Sequence, residues 1–159
     1  LRSEGEGTSF YVELPVTVKA EPAPGPTPSA TVSLDSFKGT RVLVVEDDDA
    51  VRYFTEAVLK AAGYDVLTAS NGIEALSIAR SSSHPIHLLM SDVVMPVLGG
   101  HALAEQFQVL RPDARVLFTS GYTPDAVSRK GIAIPADRFI QKPYAPAGLC
   151  RKIRDLLDR

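Results

Sequence analysis

Five short apolar runs recur along the chain at a nearly constant spacing, and this rhythm restricts the possible folds more than any other feature. The runs begin at residues 41, 64, 87, 115 and 138, so successive starts lie 23, 23, 28 and 23 residues apart. Each interval holds one helix and two short loops, which is the size of a βαβ unit. The spacing therefore predicts parallel strands that alternate with helices.

The intervening segments carry helix signals. Asp48 or Asp49 can cap a helix that ends before Gly63, and Asn71 can cap the next. Thr123 followed by Pro124 is a favourable start for the fourth helix. Five strands alternating with five helices predict an α/β, doubly wound, five-stranded parallel sheet with helices on both faces.

The N-terminal quarter of the chain has a different character. Residues 1–16 contain one alternating apolar stretch, which predicts a single strand from a sheet whose remainder is absent. Residues 17–38 include four prolines between Pro22 and Pro28, which is typical of a linker. We therefore expect the globular domain to occupy residues 39–159.

Composition restricts the class of protein. A chain of 159 residues with a net charge of −2 gives no general indication of nucleic-acid or membrane binding. A single cysteine, Cys150, excludes an internal disulfide framework and favours a reducing compartment, so we expect a cytoplasmic location. No apolar run is long enough to span a bilayer. Because the chain begins with Leu1, we expect a fragment, and a membrane anchor upstream in the parent protein stays an open alternative.

Charged and polar residues follow four of the five predicted strands. In a parallel sheet of this kind ligands bind beyond the carboxyl ends of the strands, so these residues should meet at one edge. Clustered carboxylates favour Mg²⁺, and a lysine and a hydroxyl can hold phosphoryl oxygens. The residues that we expect at this edge are Glu46, Asp47, Asp92, Ser120 and Lys142.

Asp92 is the best candidate for a nucleophilic carboxylate, because it ends the central strand and glycines follow it. Each element also has an ordinary structural explanation. Acids after a strand often cap helices, an aspartate before a turn is commonly structural, and a Lys-Pro pair is usually the start of a loop. The joint placement at four strand ends favours a reaction centre.

The residues that carry this site also carry a family resemblance. The segments VLVVEDD, LLMSDVVMP, VLFTSGY and FIQKPY resemble, in order, the motifs of receiver domains from bacterial two-component response regulators. The resemblance covers residues 41–158. It implies a flavodoxin-like fold with strand order 2-1-3-4-5.

The resemblance also implies a role for each matching residue. Asp92 resembles the phospho-accepting aspartate, and Lys142 the lysine that pairs with the acyl phosphate. Ser120 resembles the hydroxyl that follows phosphorylation, with serine in place of the commoner threonine. Phe139 resembles the switch aromatic, with phenylalanine in place of the commoner tyrosine. The implied magnesium ligands are Glu46, Asp47, Asp92 and the backbone carbonyl of Val94.

The segment GEGTSFYVELP at residues 5–15 resembles the last glycine box and final strand of histidine-kinase ATP-binding domains. Followed by a linker and a receiver, it implies a hybrid sensor histidine kinase as the parent protein. The rest of the ATP site is missing from this sequence, so we do not expect the chain to bind ATP. Whether the chain itself is an enzyme stays open.

None of the histidines, His84, His87 and His101, lies in the sequence context of a kinase phosphorylation site. The expected phosphate donor is therefore a phosphohistidine domain in cis or in trans, with a histidine phosphotransfer protein as a further candidate. We expect no nucleic acid and no membrane contact as partners of this chain, and the oligomeric state stays open. Two rival functions are a receiver-like docking module that is not phosphorylated and, more remotely, a hydrolase with an aspartyl-phosphate intermediate.

Overall fold

The structure is a computed structural model, and it describes residues 39–129 and 131–158 of the chain. The strand expected within residues 1–16 and the linker expected at 17–38 lie outside the described residues. The boundary of the domain at residue 39 accordingly stays a prediction.

The described part forms one five-stranded parallel sheet. Its strand order is β2-β1-β3-β4-β5, and each neighbouring pair is parallel. The predicted α/β fold, including its strand order, is therefore confirmed. The strands are β1 (Arg41–Val45), β2 (Asp65–Ala69), β3 (Leu88–Asp92), β4 (Arg115–Ser120) and β5 (Phe139–Gln141).

Helices connect successive strands, and their ends follow the expected capping chemistry. The Asp48 side chain accepts hydrogen bonds from the backbone N–H groups of Ala50 and Val51, so Asp48 caps the first helix. Asn71 caps the second helix through Glu74 N–H. The helices are α1 (Asp49–Ala61), α2 (Gly72–Ser81), α3 (Gly100–Leu110), α4 (Pro124–Ser128) and α5 (Pro146–Leu157).

The fourth helix is shorter than its neighbours. Thr123 accepts a hydrogen bond from Ala126 N–H and starts the helix as expected, but α4 has only five residues. Gly131, at φ +80°, stands in the stretch that follows, and a short 3-10 helix at Ala136–Arg138 leads into β5. A backbone in the left-handed region interrupts helical geometry, so the connection reaches β5 mostly as irregular chain.

The core lies on both faces of the sheet. Leu43 and Val45 of β1 belong to the cluster on one face, whereas Val42 and Val44 belong to the cluster on the other. All four side chains are at most 2% exposed. A strand that is buried on both faces needs a continuous apolar run, which is why RVLVV lacks the alternation of a half-exposed strand.

The aromatic side chain of Phe54 on α1 lies outside both core clusters. Phe54 is 44% exposed, whereas Leu59 on the same helix is fully buried. Thr55 fills a core position instead and is 1% exposed. Its hydroxyl tolerates burial because it donates a hydrogen bond to the carbonyl of Val51.

Within the described part of the chain, no helix is both long and apolar enough to cross a membrane.

We predict that Gly100→Ala destabilises the domain by about 1–3 kcal/mol. A Cβ atom on residue 100 would lie 2.0 Å from the carbonyl oxygen of Asp92, so the start of α3 would have to move away from β3. Urea denaturation measures the loss. Gly148→Ala in α5 is the matched control, since a Cβ there meets nothing within 4 Å. It should stabilise the domain by about 0.5–1 kcal/mol. Equal effects of the two substitutions would contradict the proposed close approach.

Candidate functional site

The register of the sheet brings the charged residues to one edge. Ser91 pairs with Val45 on one side, and Asp92 pairs with Thr119 on the other. Glu46 directly follows β1, Ser120 ends β4, and Lys142 follows β5. The structure therefore collects at the carboxyl edge the residues that the sequence predicted there.

Lys142 joins two of the acids at this edge. Its Nζ atom lies 2.6 Å from Asp92 Oδ2 and 2.5 Å from Glu46 Oε2. All three side chains are largely buried, with 16%, 12% and 5% exposure for Lys142, Asp92 and Glu46. One ammonium group is thus shared by two carboxylates, so the site has a net negative charge.

The Asp92 carboxylate is held at both oxygens. Oδ1 accepts a hydrogen bond from the backbone N–H of Val94 at 2.9 Å, while Oδ2 accepts one from Lys142. Bonds of this kind restrict the rotation of the carboxylate and set its direction at the end of β3. Counted over the whole residue, Asp92 is 8% exposed, so a reagent can still reach it from the solvent side.

Three carboxylates form a cluster suited to a hard cation. One oxygen each of Glu46, Asp47 and Asp92 lies within 4.8 Å of the others. Glu46 is buried and Asp47 is exposed, so the cluster is open on one side. Oxygen ligands with room for water on one side are what Mg²⁺ prefers, and these residues fit that ion.

The pKa values of Glu46 and Lys142 are both raised, but for different physical reasons. Burial raises the pKa of Glu46, and it outweighs the opposing effect of Lys142. Burial alone would lower the pKa of Lys142, but the hydrogen bonds to Asp92 and Glu46 outweigh it, so the pKa of Lys142 is raised. Lys142 is consequently a stable cation at neutral pH.

The loop after Asp92 approaches the strand end closely. Gly100 N–H donates to the carbonyl of Val93 at 3.1 Å, and Gly100 leaves no space for a Cβ beside Asp92. This agrees with the expectation that the glycines after Asp92 allow a close approach. Val97 has φ +68°, a left-handed conformation that costs energy for a β-branched residue.

Ser120, Phe139 and Val94 take different positions around this centre. Ser120 is 1% exposed, and its Oγ accepts a hydrogen bond from Tyr122 N–H at 3.1 Å. Phe139 is 7% exposed and belongs to the same core cluster as Leu43 and Val45. Val94 lies at the surface with 44% exposure, next to Asp92. The roles assigned to these residues stay predictions.

A cavity of about 600 Å³ opens beside Lys142. It lies between the start of α1 and the segment after β5, and Gly121 is part of its wall. The residues that line it are Ala50, Val51, Phe54, Gly121, Lys142, Pro143 and Tyr144.

Sequence reasoning missed contacts made by α1. Arg52 Nη1 donates to the carbonyl of Glu46 at 2.7 Å, and the Thr55 hydroxyl lies 2.9 Å from the hydroxyl of Tyr144. The contact between Thr55 and Tyr144 has no sequence signal, because the two residues are 89 positions apart. The hydrogen bond from Arg52 to the Glu46 carbonyl has no sequence signal either. The FIQKPY segment contains Tyr144, but its spacing indicates no partner for the side chain.

Comparison with known families gives one match that covers most of the chain. The family described as response regulator receiver domain matches residues 42–154. Apart from Arg41 at the start of β1, the matched region includes all five strands, and it includes every residue predicted for the site.

Two curated proteins of Brucella abortus (strain 2308) illustrate the range of relatives. The sensor kinase CckA is 34% identical over 98% of this chain, but the alignment covers only 17% of CckA. The response regulator receiver protein CpdR is 32% identical over 74% of this chain and 96% of CpdR. The probable transcriptional regulator ycf27 of Porphyra purpurea is 36% identical over 75% of this chain and 48% of its own length. The chain thus spans only a part of several relatives.

Solved structures agree with the sheet topology. The receiver domain of the hybrid histidine kinase CckA is 37% identical with a TM-score of 0.61, over 74% of this chain and 98% of that domain. The chemotaxis protein CheY4 of Vibrio cholerae is 28% identical with a TM-score of 0.66, over 74% of this chain and 98% of its own.

We predict that Lys142→Met destabilises the metal-free domain by about 2–4 kcal/mol at pH 7.5, because it leaves two largely buried carboxylates without their cation. The loss should shrink towards pH 4.5. Lys142 holds the pKa of Glu46 down, so the variant has a Glu46 pKa raised further. When the pKa of a carboxyl group is raised in the folded state, the free energy of unfolding increases as the pH falls through that pKa.

Urea denaturation in EDTA at both pH values measures this difference. Lys60→Met is the matched control, because Lys60 forms an ion pair with Glu56 on the exposed side of α1. Its effect should stay within about 0.5 kcal/mol. A loss for Lys142→Met that is the same at both pH values would contradict the assigned pairing.

Proposed function

The chain belongs to the response regulator receiver domain family of two-component systems, and from this premise we propose that Asp92 accepts a phosphoryl group from a phosphohistidine. The observation that carries this proposal is the geometry of Lys142, whose ammonium group pairs with Asp92 and Glu46 beside an open carboxylate cluster. A structural aspartate would need no such combination of a buried cation and two further acids.

In the proposed reaction a carboxylate oxygen of Asp92 attacks phosphorus, and the bond between phosphorus and the histidine nitrogen breaks. The electron pair of that bond stays on the imidazole nitrogen of the donor. Lys142 exchanges part of its pairing with Asp92 for a phosphoryl oxygen. Water later attacks the acyl phosphate, which releases inorganic phosphate and restores the carboxylate.

We propose Mg²⁺ as the cofactor, held by Asp47, Asp92 and the carbonyl of Val94, with Glu46 beside them. When bound, the ion would neutralise negative charge on the phosphoryl oxygens. Glu46, Asp47 and Asp92 supply the negative charge that attracts it. The cluster in the described residues supports this assignment.

The donor is proposed to be a separate domain or protein. Among the described residues, His87 Nδ1 accepts a hydrogen bond from Arg41 N–H at the opposite edge of the sheet, and His101 lies on α3 against Phe118. The similarity to CckA along 98% of the chain supports a hybrid sensor histidine kinase as the parent protein. The proposed donor is therefore a phosphohistidine domain in cis or in trans, or a histidine phosphotransfer protein.

We predict that acetyl phosphate with Mg²⁺ adds one phosphoryl group to the chain, and that Asp92→Asn abolishes the addition. Asp47→Asn should weaken Mg²⁺ binding, so that modification needs a higher Mg²⁺ concentration, because it removes one oxygen charge from the cluster. Intact-protein mass spectrometry detects the modified chain, and EDTA should prevent its formation.

The matched control for this experiment is Asp113→Asn, which makes the same chemical change at the opposite edge of the sheet, in the loop before β4. This variant should be modified like the wild type. No modification of the wild-type chain would sink the phospho-acceptor proposal and favour a docking module that is not phosphorylated.

We propose that the modified site signals through Ser120 and Phe139. In the free protein Ser120 Oγ accepts a hydrogen bond from Tyr122 N–H. A phosphoryl oxygen on Asp92 would give the Ser120 hydroxyl a new acceptor. The effect would pass along the paired strands, since Phe118 pairs with Phe139 and Ser120 with Gln141. Because the Phe139 ring is already buried, the switch needs a rearrangement within the core rather than entry from solvent.

We predict that beryllofluoride with Mg²⁺ shifts the amide NMR signals of residues 120–144, and that Ser120→Ala suppresses most of these shifts while beryllofluoride still binds. Fluorine NMR measures the binding separately. Ser81→Ala, which removes an exposed hydroxyl at the end of α2, is the control and should behave like the wild type. Equal shifts in Ser120→Ala and the wild type would exclude Ser120 as the link.

A further inference from the structure

The segment that carries Lys142 has few backbone anchors beyond its strand. β5 has three residues, and pairing with β4 extends to Lys142, whose N–H donates to the carbonyl of Ser120 at 2.8 Å. Pro143 and Pro146 have no N–H to donate, and the N-cap residue of α5, Ala145, makes no side-chain capping bond. Side-chain contacts are therefore the main anchors available to the residues between Lys142 and α5.

Tyr144 makes such a contact with α1. Its hydroxyl lies 2.9 Å from Thr55 Oγ1, and its ring packs against the core cluster on that face. The Thr55 hydroxyl donates to the carbonyl of Val51 at 2.8 Å, so its oxygen is left to accept. Tyr144 is consequently the donor, and a single chain of two hydrogen bonds joins the Lys142 segment to the helix backbone.

The same helix also holds the acidic side of the ion pair. Arg52, one turn before Thr55, donates from Nη1 to the carbonyl of Glu46 at 2.7 Å. Glu46 is thus tied to α1 through Arg52, and the Lys142 segment is tied to α1 through Thr55 and Tyr144. The helix therefore contacts the chain beside both partners of the ion pair.

We propose that Thr55 and Tyr144 are positioning residues that hold Lys142 Nζ against Glu46 and Asp92 and thereby set the rate of phosphoryl transfer. The inference rests on the function proposed above. Neither side chain belongs to the carboxylate cluster, and in this proposal both act on the reaction through Lys142. Misplacement of a positioned group lowers the rate of the chemical step steeply. In the variants proposed below, Glu46 and Asp92 keep their hydrogen bonds with Arg52 and Val94.

The test measures the rate constant of modification by acetyl phosphate and the affinity for Mg²⁺ in the same variants. Tyr144→Phe keeps the ring and removes the donor, and Thr55→Val keeps the shape and removes the acceptor. Each should lower the rate constant by about five- to tenfold, which corresponds to the free energy that one hydrogen bond contributes to positioning a group. The dissociation constant for Mg²⁺ should change by less than about twofold, since its ligands are untouched.

The double variant should be no slower than either single variant, because both remove the same contact. Thr55→Ser restores a hydroxyl and should restore the rate. Tyr53→Phe is the control for loss of a tyrosine hydroxyl, since Tyr53 lies on α1 with 74% exposure, and its rate should equal that of the wild type.

A loss of Mg²⁺ affinity in parallel with the rate, or rate losses that multiply in the double variant, would overturn the positioning role. Tyr144→Phe keeps Thr55 bonded to Val51, so this variant should fold and carries the test if Thr55→Val does not. Unchanged kinetics in a folded Tyr144→Phe would also overturn it.

A second readout is independent of phosphorylation. In the metal-free protein, the ammonium protons of Lys142 should be protected from exchange with water in the wild type and in Thr55→Ser, so that nitrogen NMR detects the signal of this group. The signal should be lost in Thr55→Val and Tyr144→Phe. If the wild type takes up no phosphoryl group, the proposed function fails while this signal still tests the positioning. Equal protection in all four proteins would refute the positioning itself.

Discussion

The pairing of Lys142 with Asp92 and Glu46 is the interaction on which the rest of the site depends. A parallel sheet brings the ends of β1 and β3 side by side, and with them come three carboxylates within 4.8 Å. Such a cluster is unfavourable without a cation because like charges repel at short range. Lys142 supplies one positive charge from β5, three strands from β1, and leaves the net negative charge that a divalent ion can balance.

The surrounding structure limits how far these charged groups can move. Gly100 allows α3 to begin directly against the carbonyl of Asp92, and Val94 N–H holds one carboxylate oxygen. On the other side, α1 contacts both the backbone of Glu46 and the segment after Lys142. In the proposed phosphorylation, a carboxylate held in this way would react without first having to be oriented.

Much of this could be predicted because the relevant signals are local. The 23-residue rhythm, the capping residues Asp48, Asn71 and Thr123, and the polar residues after four strands are all readable from short windows. The length of α4, the exposure of Phe54 and the burial of Phe139 were not readable in this way. The exposure of Phe54 and the burial of Phe139 depend on which neighbours cover each side chain, and those neighbours come from distant parts of the chain. The length of α4 depends on the backbone conformation of the stretch that follows it.

By itself the sequence determined the edge of the sheet that holds the site and the residue types gathered there, because these follow from periodicity and from the geometry of parallel strands. The strand order was implied by the resemblance of its motifs to receiver domains. Only the tertiary structure decided that Lys142 bridges two acids and that the hydroxyls of Thr55 and Tyr144 meet. The physical reason is that hydrogen bonds act over about 3 Å, so their partners are chosen by packing and not by spacing along the chain.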